Sequence, residues 1–491
     1  TVMGNDITEI PGADALQQPR ERIKDIMNGY AGLYGVKHTE LLVNGSSTGL
    51  MAAILATVPR GDTLLMGRNS HKSVYGALRL GGINPSYIMP ELDEETGLQL
   101  GLDPDRIEAA LMADPMIKAV LVTSPNYYGV LSDIERIASI VHLHGRILIV
   151  DQAHGAHLKF FDYLRSEDGL PHRAAENCGA DIVVDSTHKT LLSFTGSAIL
   201  NICTERPDVS RISELLRMLQ TTSPSYLLMG SLDINQQILR MDGYNLIKNW
   251  DADIKYFYEE AAQIAGLGLI DRIDLDETKV SITMSALGLS GPKLAEELEK
   301  RNIWVELTHG DYVMLMTGLG NERGDYEDIL AALRDLSVHY GGRIQGVESE
   351  SSASKTEPAA QNAAQKQAKN EIQAVAKNET QVTNKNASQP VDKIAELRTP
   401  SSDSALIERL EQRKIPDTYE EIPLYSAEGR VLYESIIPYP PGTPIACPGE
   451  VLSKSVILYV RDQLVAQHVV LGVDEEGRVK VESDCVLFKE I

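Results

Sequence analysis

Residues 181–191 read DIVVDSTHKTL. The run Ile182, Val183, Val184 has the composition of a strand buried on both faces. It ends in polar residues, with Lys189 directly after His188. That lysine is either a solvated charge leaving a strand, or an amine held at a strand's carboxyl end. In open parallel sheets ligands bind at the carboxyl ends. The neighbouring segments choose between the two.

From about residue 38 to 202, short apolar runs alternate with segments of helical period. ELLV precedes TGLMAAILATV, TLLMG precedes HKSVYGALRL, and KAVLVTS precedes DIERIASIVHLHG; RILIVD, DIVVDS and GSAILNI follow. Continuous Val/Ile/Leu runs separated by helices predict a mainly parallel sheet in a doubly wound α/β domain. We place this large domain at 1–235 and a smaller α/β part at 236–346, in which KVSITMSA and YVMLMT read as strands. Residues 347–391 contain no leucine and no aromatic residue, so 347–400 reads as a linker that cannot bury a core. Residues 401–491 read as a small α+β domain. It opens with the amphipathic helix SDSALIERLEQR and continues through the turn-rich PYPPGTPIACPGE to the strands KSVILYV and AQHVVLGV.

The chain of 491 residues carries 46 basic and 70 acidic side chains, a net charge of −24. An acidic surface disfavours nucleic acid and anionic membranes as partners and attracts small cations. No apolar run is long enough to span a bilayer, and the first twenty residues lack the pattern of a signal peptide. Cys178, Cys203, Cys447 and Cys485 lie far apart with no CxxC pair, which fits a reducing, cytoplasmic compartment. The glycosylation-type triplets at Asn44, Asn378 and Asn386 have no other sign of secretion beside them.

Four stretches fall at expected strand ends. NGSSTGLMAA (44–53) is a Gly/Ser turn into a helix. There the hydroxyls of Ser46, Ser47 and Thr48 and free N–H groups could hold an anion, or simply cap the helix. His71 in NSHKSVYGAL could stack on a flat ring or act as a cap. Asp151 ends the strand ILIVD, so its carboxylate needs a partner, such as a protonated heterocyclic nitrogen. His154 and His157 follow it, but no third ligand nearby supports a metal. Lys189 lies 38 positions beyond Asp151, where desolvation would lower its pKa and let it form a Schiff base. Ser186 and His188 beside it could hold a phosphate. An anion cradle, a ring-stacking histidine, an acid for a ring nitrogen and a Schiff-base lysine together describe a pyridoxal phosphate site.

SPNYYGVLSDIERIASIVHLHGRILIVDQAHGAHLKF (124–160), DSTHKTL, TTSPSY and PYPPGTPIACPGE also resemble the Orn/Lys/Arg decarboxylase family of fold type I pyridoxal phosphate enzymes, over most of 5–345 and 400–491. The resemblance implies Lys189 as the cofactor-bound lysine, Asp151 at the ring nitrogen and His71 over the ring. It implies Ser46, Ser47, Ala153, Ser186 and His188 around the cofactor. Thr222 and Ser223 would reach the partner subunit's cofactor in a homodimer or higher homo-oligomer, and Glu306 in IWVELTHGD would meet the substrate's distal cation. The implied activity is decarboxylation of a basic amino acid, arginine first and lysine or ornithine next, with His188 a candidate proton donor. Another fold type I activity, such as an aminotransferase or lyase, or a non-catalytic relative, is the alternative. Three departures stand out. The family's N-terminal segment would precede Thr1, Gln152 stands where many relatives carry Glu, and 347–391 looks like an insertion.

Overall fold

The computed structural model describes residues 4, 6–10, 12–353, 410–413, 415–416, 418–439, 442–465 and 468–483, of which 342–353 and 439 are described by their backbone alone. Seven short strands make the main sheet: β1 His38–Leu42, β2 Thr63–Gly67, β3 Asn84–Ile88, β4 Ile117–Thr123, β5 Ile147–Asp151, β6 Ile182–Asp185 and β7 Ala198–Ile202. Their order is β1-β7-β6-β5-β4-β2-β3. Only β7 runs against its neighbours, so the other six strands bring their carboxyl ends to one edge. The expected α/β class and mainly parallel sheet are what the chain forms. β3 (NPSYI) went unnoticed in the sequence, because a proline and polar residues interrupt its apolar pattern.

Strand alternation sends side chains to two separate cores. Leu64, Met66, Leu121, Ile149 and Val184 pack under the helices Gly45–Thr57, Lys72–Gly81 and Val209–Leu219. Leu65, Val120, Val122, Leu148, Val150 and Val183 pack under Pro104–Ala113 and Ile134–Leu143. Both faces are covered, which is why these strands read as unbroken apolar runs.

A second, antiparallel sheet has the order β10-β11-β9-β8, from β8 Gly268–Leu269, β9 Lys279–Thr283, β10 Leu307–His309 and β11 Tyr312–Met316. Two long helices, Tyr226–Ala261 and Arg323–Ala353, pack against it in a third core. The expected division at 235/236 falls inside the first helix, which joins the two parts as one rod. The second helix runs to Ala353, so the segment expected to be linker from 347 begins as helix. The rest of that segment lies outside the described residues, as does the helix expected over 402–413 except for 410–413, which are not helical: Gln412 forms an isolated antiparallel bridge with Glu450.

The C-terminal domain pairs β12 Tyr419–Pro423 with β15 Arg478–Glu482, and β13 Ile437–Tyr439 with β14 Val469–Leu471. KSVILYV is not the expected strand: Lys454–Val465 is a helix. Its β-branched residues suggested a strand, but Val456, Ile457 and Val460 fall on one helical face and bury together. Ser453 caps it, its Oγ accepting from the Val456 N–H at 3.3 Å. The domain seats on the large domain through Arg68, which follows β2. Its guanidinium donates to Pro444 O at 2.7 Å and to Glu450 Oε2 at 2.9 Å, with both side chains almost completely buried. Among the described residues, no helix is long and apolar enough to cross a membrane.

Candidate active site

The carboxyl ends of β4, β5 and β6 meet because Asp151 sits in register with Thr123 on one side and Val184 on the other. Asp151 is 3% exposed, and among the described residues its Oδ1 accepts only the Ala153 N–H, at 3.2 Å. Burial pushes its carboxyl up to about 6, with the Lys189 charge and that N–H opposing. Lys189 follows β6 in the single helical turn Thr187–Thr190. Burial lowers the pKa of its amine, Asp151 and Glu306 oppose that, and Lys279 adds to it. Lys189 Nζ lies 2.9 Å from His154 Nε2.

His154 is buried, and burial together with Lys189 and Lys279 holds it well below the usual histidine range. A neutral ring accepts at Nε2 and carries its proton on Nδ1, which has no partner among the described residues. Tyr127 packs edge-on against this ring at 5.1 Å and donates its hydroxyl to Glu306 Oε1 at 2.9 Å. Glu306 is placed by its own backbone, whose N–H donates to Met314 O in β11 at 2.9 Å. One line of side chains thus runs from the lysine amine to a carboxylate just ahead of β10 of the second sheet.

His71 caps the helix Lys72–Gly81, its ring accepting from the Ser73 N–H at 3.3 Å. Burial, then the charges of Lys189 and Lys72, lower its pKa to about 4, so it is a neutral ring facing the same space. Ser46 and Ser47 lie in the first turn of Gly45–Thr57, entered through Gly45 at φ 75°. Asn44 makes no side-chain capping bond there; the Gly45 N–H donates to Gly196 O at 2.9 Å, and the N–H groups of Ser46 and Ser47 have no acceptor among the described residues. The Ser186 hydroxyl is buried with no partner among the described residues. His188 Nδ1 donates to Ser197 O at 2.7 Å.

A family model described as Orn/Lys/Arg decarboxylase, major domain, matches residues 1–265, and that family's C-terminal domain matches 403–473. The chain belongs to the Orn/Lys/Arg decarboxylase family. Members of this family are pyridoxal phosphate-dependent amino acid decarboxylases, and the expected enzyme class stands. Among its relatives, an arginine decarboxylase of Bacillus subtilis is 30% identical over 96% of this chain and 87% of its own length. One of Bacillus anthracis is 28% identical over 96% and 86%. Lysine decarboxylase A from Pseudomonas aeruginosa has the same fold at a TM-score of 0.72, with 20% identity, covering 98% of this chain and 74% of that one.

Within this decarboxylase fold, the structure brings together Lys189, Asp151, His71 and Glu306 from four separate stretches. Thr222 and Ser223 do not join them. Both are exposed ahead of the helix Tyr226–Ala261 and make no hydrogen bond to that cluster among the described residues. His157 turns away and meets Asp276 at 3.1 Å in the interior. Gln152 also turns away, its Nε2 bridging Glu176 and Asp185 at 3.0 Å each. Sequence reasoning missed Tyr127 and Lys279, and gave His154 no part beyond a metal. Lys279 carried the signal that singled out Lys189, a lysine abutting a buried apolar run, here at the start of a strand.

These residues fit pyridoxal phosphate. A buried carboxyl with one hydrogen bond suits a protonated ring nitrogen. The unpartnered Ser186 hydroxyl and the open helix start suit a phosphate, and Lys189 Nζ suits the aldehyde.

Proposed function

We propose that this chain decarboxylates a basic amino acid with pyridoxal phosphate, arginine first and lysine or ornithine next. The carrying observation is one continuous line of contacts, Lys189–His154–Tyr127–Glu306, with Asp151 beside its first member. When bound, pyridoxal phosphate supplies an electron sink for the pair left behind as carbon dioxide departs. Asp151 would hold a proton on the ring nitrogen, and a neutral His71 would lie against the ring. Lys189 would bind the cofactor covalently and yield its place to the substrate's amino group. Glu306, oriented by the Tyr127 hydroxyl on Oε1, would take the distal cation on Oε2 and on the remaining lone pair of Oε1. A guanidinium can pair with a carboxylate through two bonds, which favours arginine.

For the proton at Cα, Lys189 Nζ is a better source than the expected His188. His188 already spends its Nδ1 proton on Ser197 O, and burial lowers its pKa. Lys189 and His154, 2.9 Å apart, can pass a proton between Nζ and Nε2. Exposed Thr222 and Ser223 leave room for the reading that they serve a second subunit's site in a homodimer. A cytoplasmic role in making polyamine precursors is consistent with this chemistry.

The test is incubation with pyridoxal phosphate and a panel of arginine, lysine, ornithine, citrulline and norleucine. Carbon dioxide and the matching amine should form from a cationic substrate. A keto acid instead would make the protein an aminotransferase, and equal turnover of citrulline and arginine would rule out the basic substrate class.

A further inference from the structure

The deepest ionic cluster outside the line of contacts above is Lys279, Asp276 and His157, each at most 1% exposed. Asp276 Oδ1 takes His157 Nε2 at 3.1 Å, and the N–H and hydroxyl of Thr278 at 3.1 and 2.8 Å. Its Oδ2 lies 3.6 Å from Lys279 Nζ. Lys279 in turn donates to the backbone carbonyl of His154 at 3.2 Å. His154 therefore carries a lysine at each end, Lys279 on its carbonyl and Lys189 on its ring. At Gly129, held at φ 88°, an added Cβ would come within 2.8 Å of Lys279 Cβ, so backbone packs directly on the stem.

We propose that Lys279 is a positioning residue for Lys189, a fixed buried ammonium that clamps the His154 backbone and disfavours a second positive charge on the Lys189 amine. This rests on the reading of Lys189 as the cofactor lysine. An amine must be uncharged to attack a carbonyl, and a neighbouring cation in a dry site is one way to keep it so. The other groups acting on Lys189 are Asp151 from the end of β5, Glu306 from just ahead of β10, and His154 and His71 as neutral rings. Asp151 and Glu306 favour its charged form, and Lys279 opposes them; burial lowers the pKa of Lys279 as well, and Asp276 at 3.6 Å, with Glu306, works to keep it charged. A buried lysine in the second sheet thereby gains a role that core packing alone does not supply.

The test is competitive acetylation of the cofactor-free protein across pH, with Lys189 modification read by peptide mass spectrometry. Lys279→Gln keeps a donor for the His154 carbonyl and removes the charge; Lys279→Arg keeps the charge. In Lys279→Gln the Lys189 midpoint should rise by about one pH unit, a tenfold change in the free amine at fixed pH. In Lys279→Arg it should stay near that of the unmodified protein. An unchanged midpoint in a folded Lys279→Gln protein overturns the proposal. Should that variant not fold, the unmodified protein still decides: a Lys189 midpoint at the ordinary lysine value overturns the proposal too. Capture of pyridoxal phosphate by the unmodified protein is measured separately. A shifted midpoint without capture supports the role of Lys279 and refutes the functional reading, whereas capture with an unshifted midpoint does the reverse.

Discussion

Asp151 and Asp276 are both aspartates in the dry interior, 3% and 1% exposed, and they titrate in opposite directions. Burial works to raise both. At Asp276, His157, Lys279 and Thr278 outweigh it and hold the carboxyl well below the usual range. At Asp151, burial prevails, and the carboxyl rises to about 6 with one backbone N–H as its hydrogen-bond partner. Depth is therefore not the difference; the partners supplied by the chain are. A carboxyl that the protein buries and leaves short of partners is one kept for a ligand.

The largest test of this contrast is at the amine that faces Asp151. Lys189→Ala should abolish borohydride-trappable pyridoxal phosphate and turnover while the melting temperature stays close to normal. A trappable covalent cofactor in that variant would move the reactive amine elsewhere.

Next comes Asp276→Asn. It leaves Lys279 without its carboxylate in the interior and should cost roughly 3–5 kcal/mol of stability in urea unfolding. A loss below about 1 kcal/mol would mean that the cluster is not held together by charge.

Asp151→Asn should do the reverse to stability. A carboxyl whose pKa is raised from 3.8 in the unfolded chain to about 6 in the folded one binds its proton more tightly when folded. Below pH 3.8 it is protonated in both states and costs nothing; as pH rises from 3.8 to 6 the unfolded chain ionises first, and the penalty of burying the carboxyl is complete above 6. Removing it should make the cofactor-free protein more stable at pH 7 by up to ~3 kcal/mol, with no difference at acid pH. Turnover should still fall by ~10² or more, because an amide cannot hold the ring nitrogen protonated. Stability curves that run parallel at every pH would show that Asp151 has a hidden partner.

The smallest effect belongs to the far end of the line. Glu306→Gln should raise KM for the cationic substrate by ~10-fold or more, and Tyr127→Phe by less, since it only fixes one carboxylate oxygen. Citrulline should lose its disadvantage in the Glu306 variant. An unchanged KM would assign the distal cation to another acid.

Much of this site could be read from one dimension. A strand buried on both faces is written as a continuous apolar run, and the polar residue that ends it is legible in place. Asp151, Ser186, His188 and Lys189 are legible that way as strand-end candidates, and so is the parallel sheet that carries them. The same rule failed where the local pattern spoke for two structures at once: the β-branched KSVILYV is a helix, because its burial is set by a neighbouring sheet. It failed also for interrupted β3, and for the end of the second long helix, whose polar residues 347–353 read as linker.

By itself the sequence determined the elements, their alternation and the strand-end residues, since these depend on local periodicity and on which residue follows which. Only the tertiary structure decided which of them meet. Glu306 and Tyr127 are 179 positions apart, Lys279 and His154 are 125 apart, and Arg68 and Glu450 are 382 apart. A charge in the interior is tolerated only beside its partner, and that partner is chosen by how sheets and helices pack, which no single stretch records.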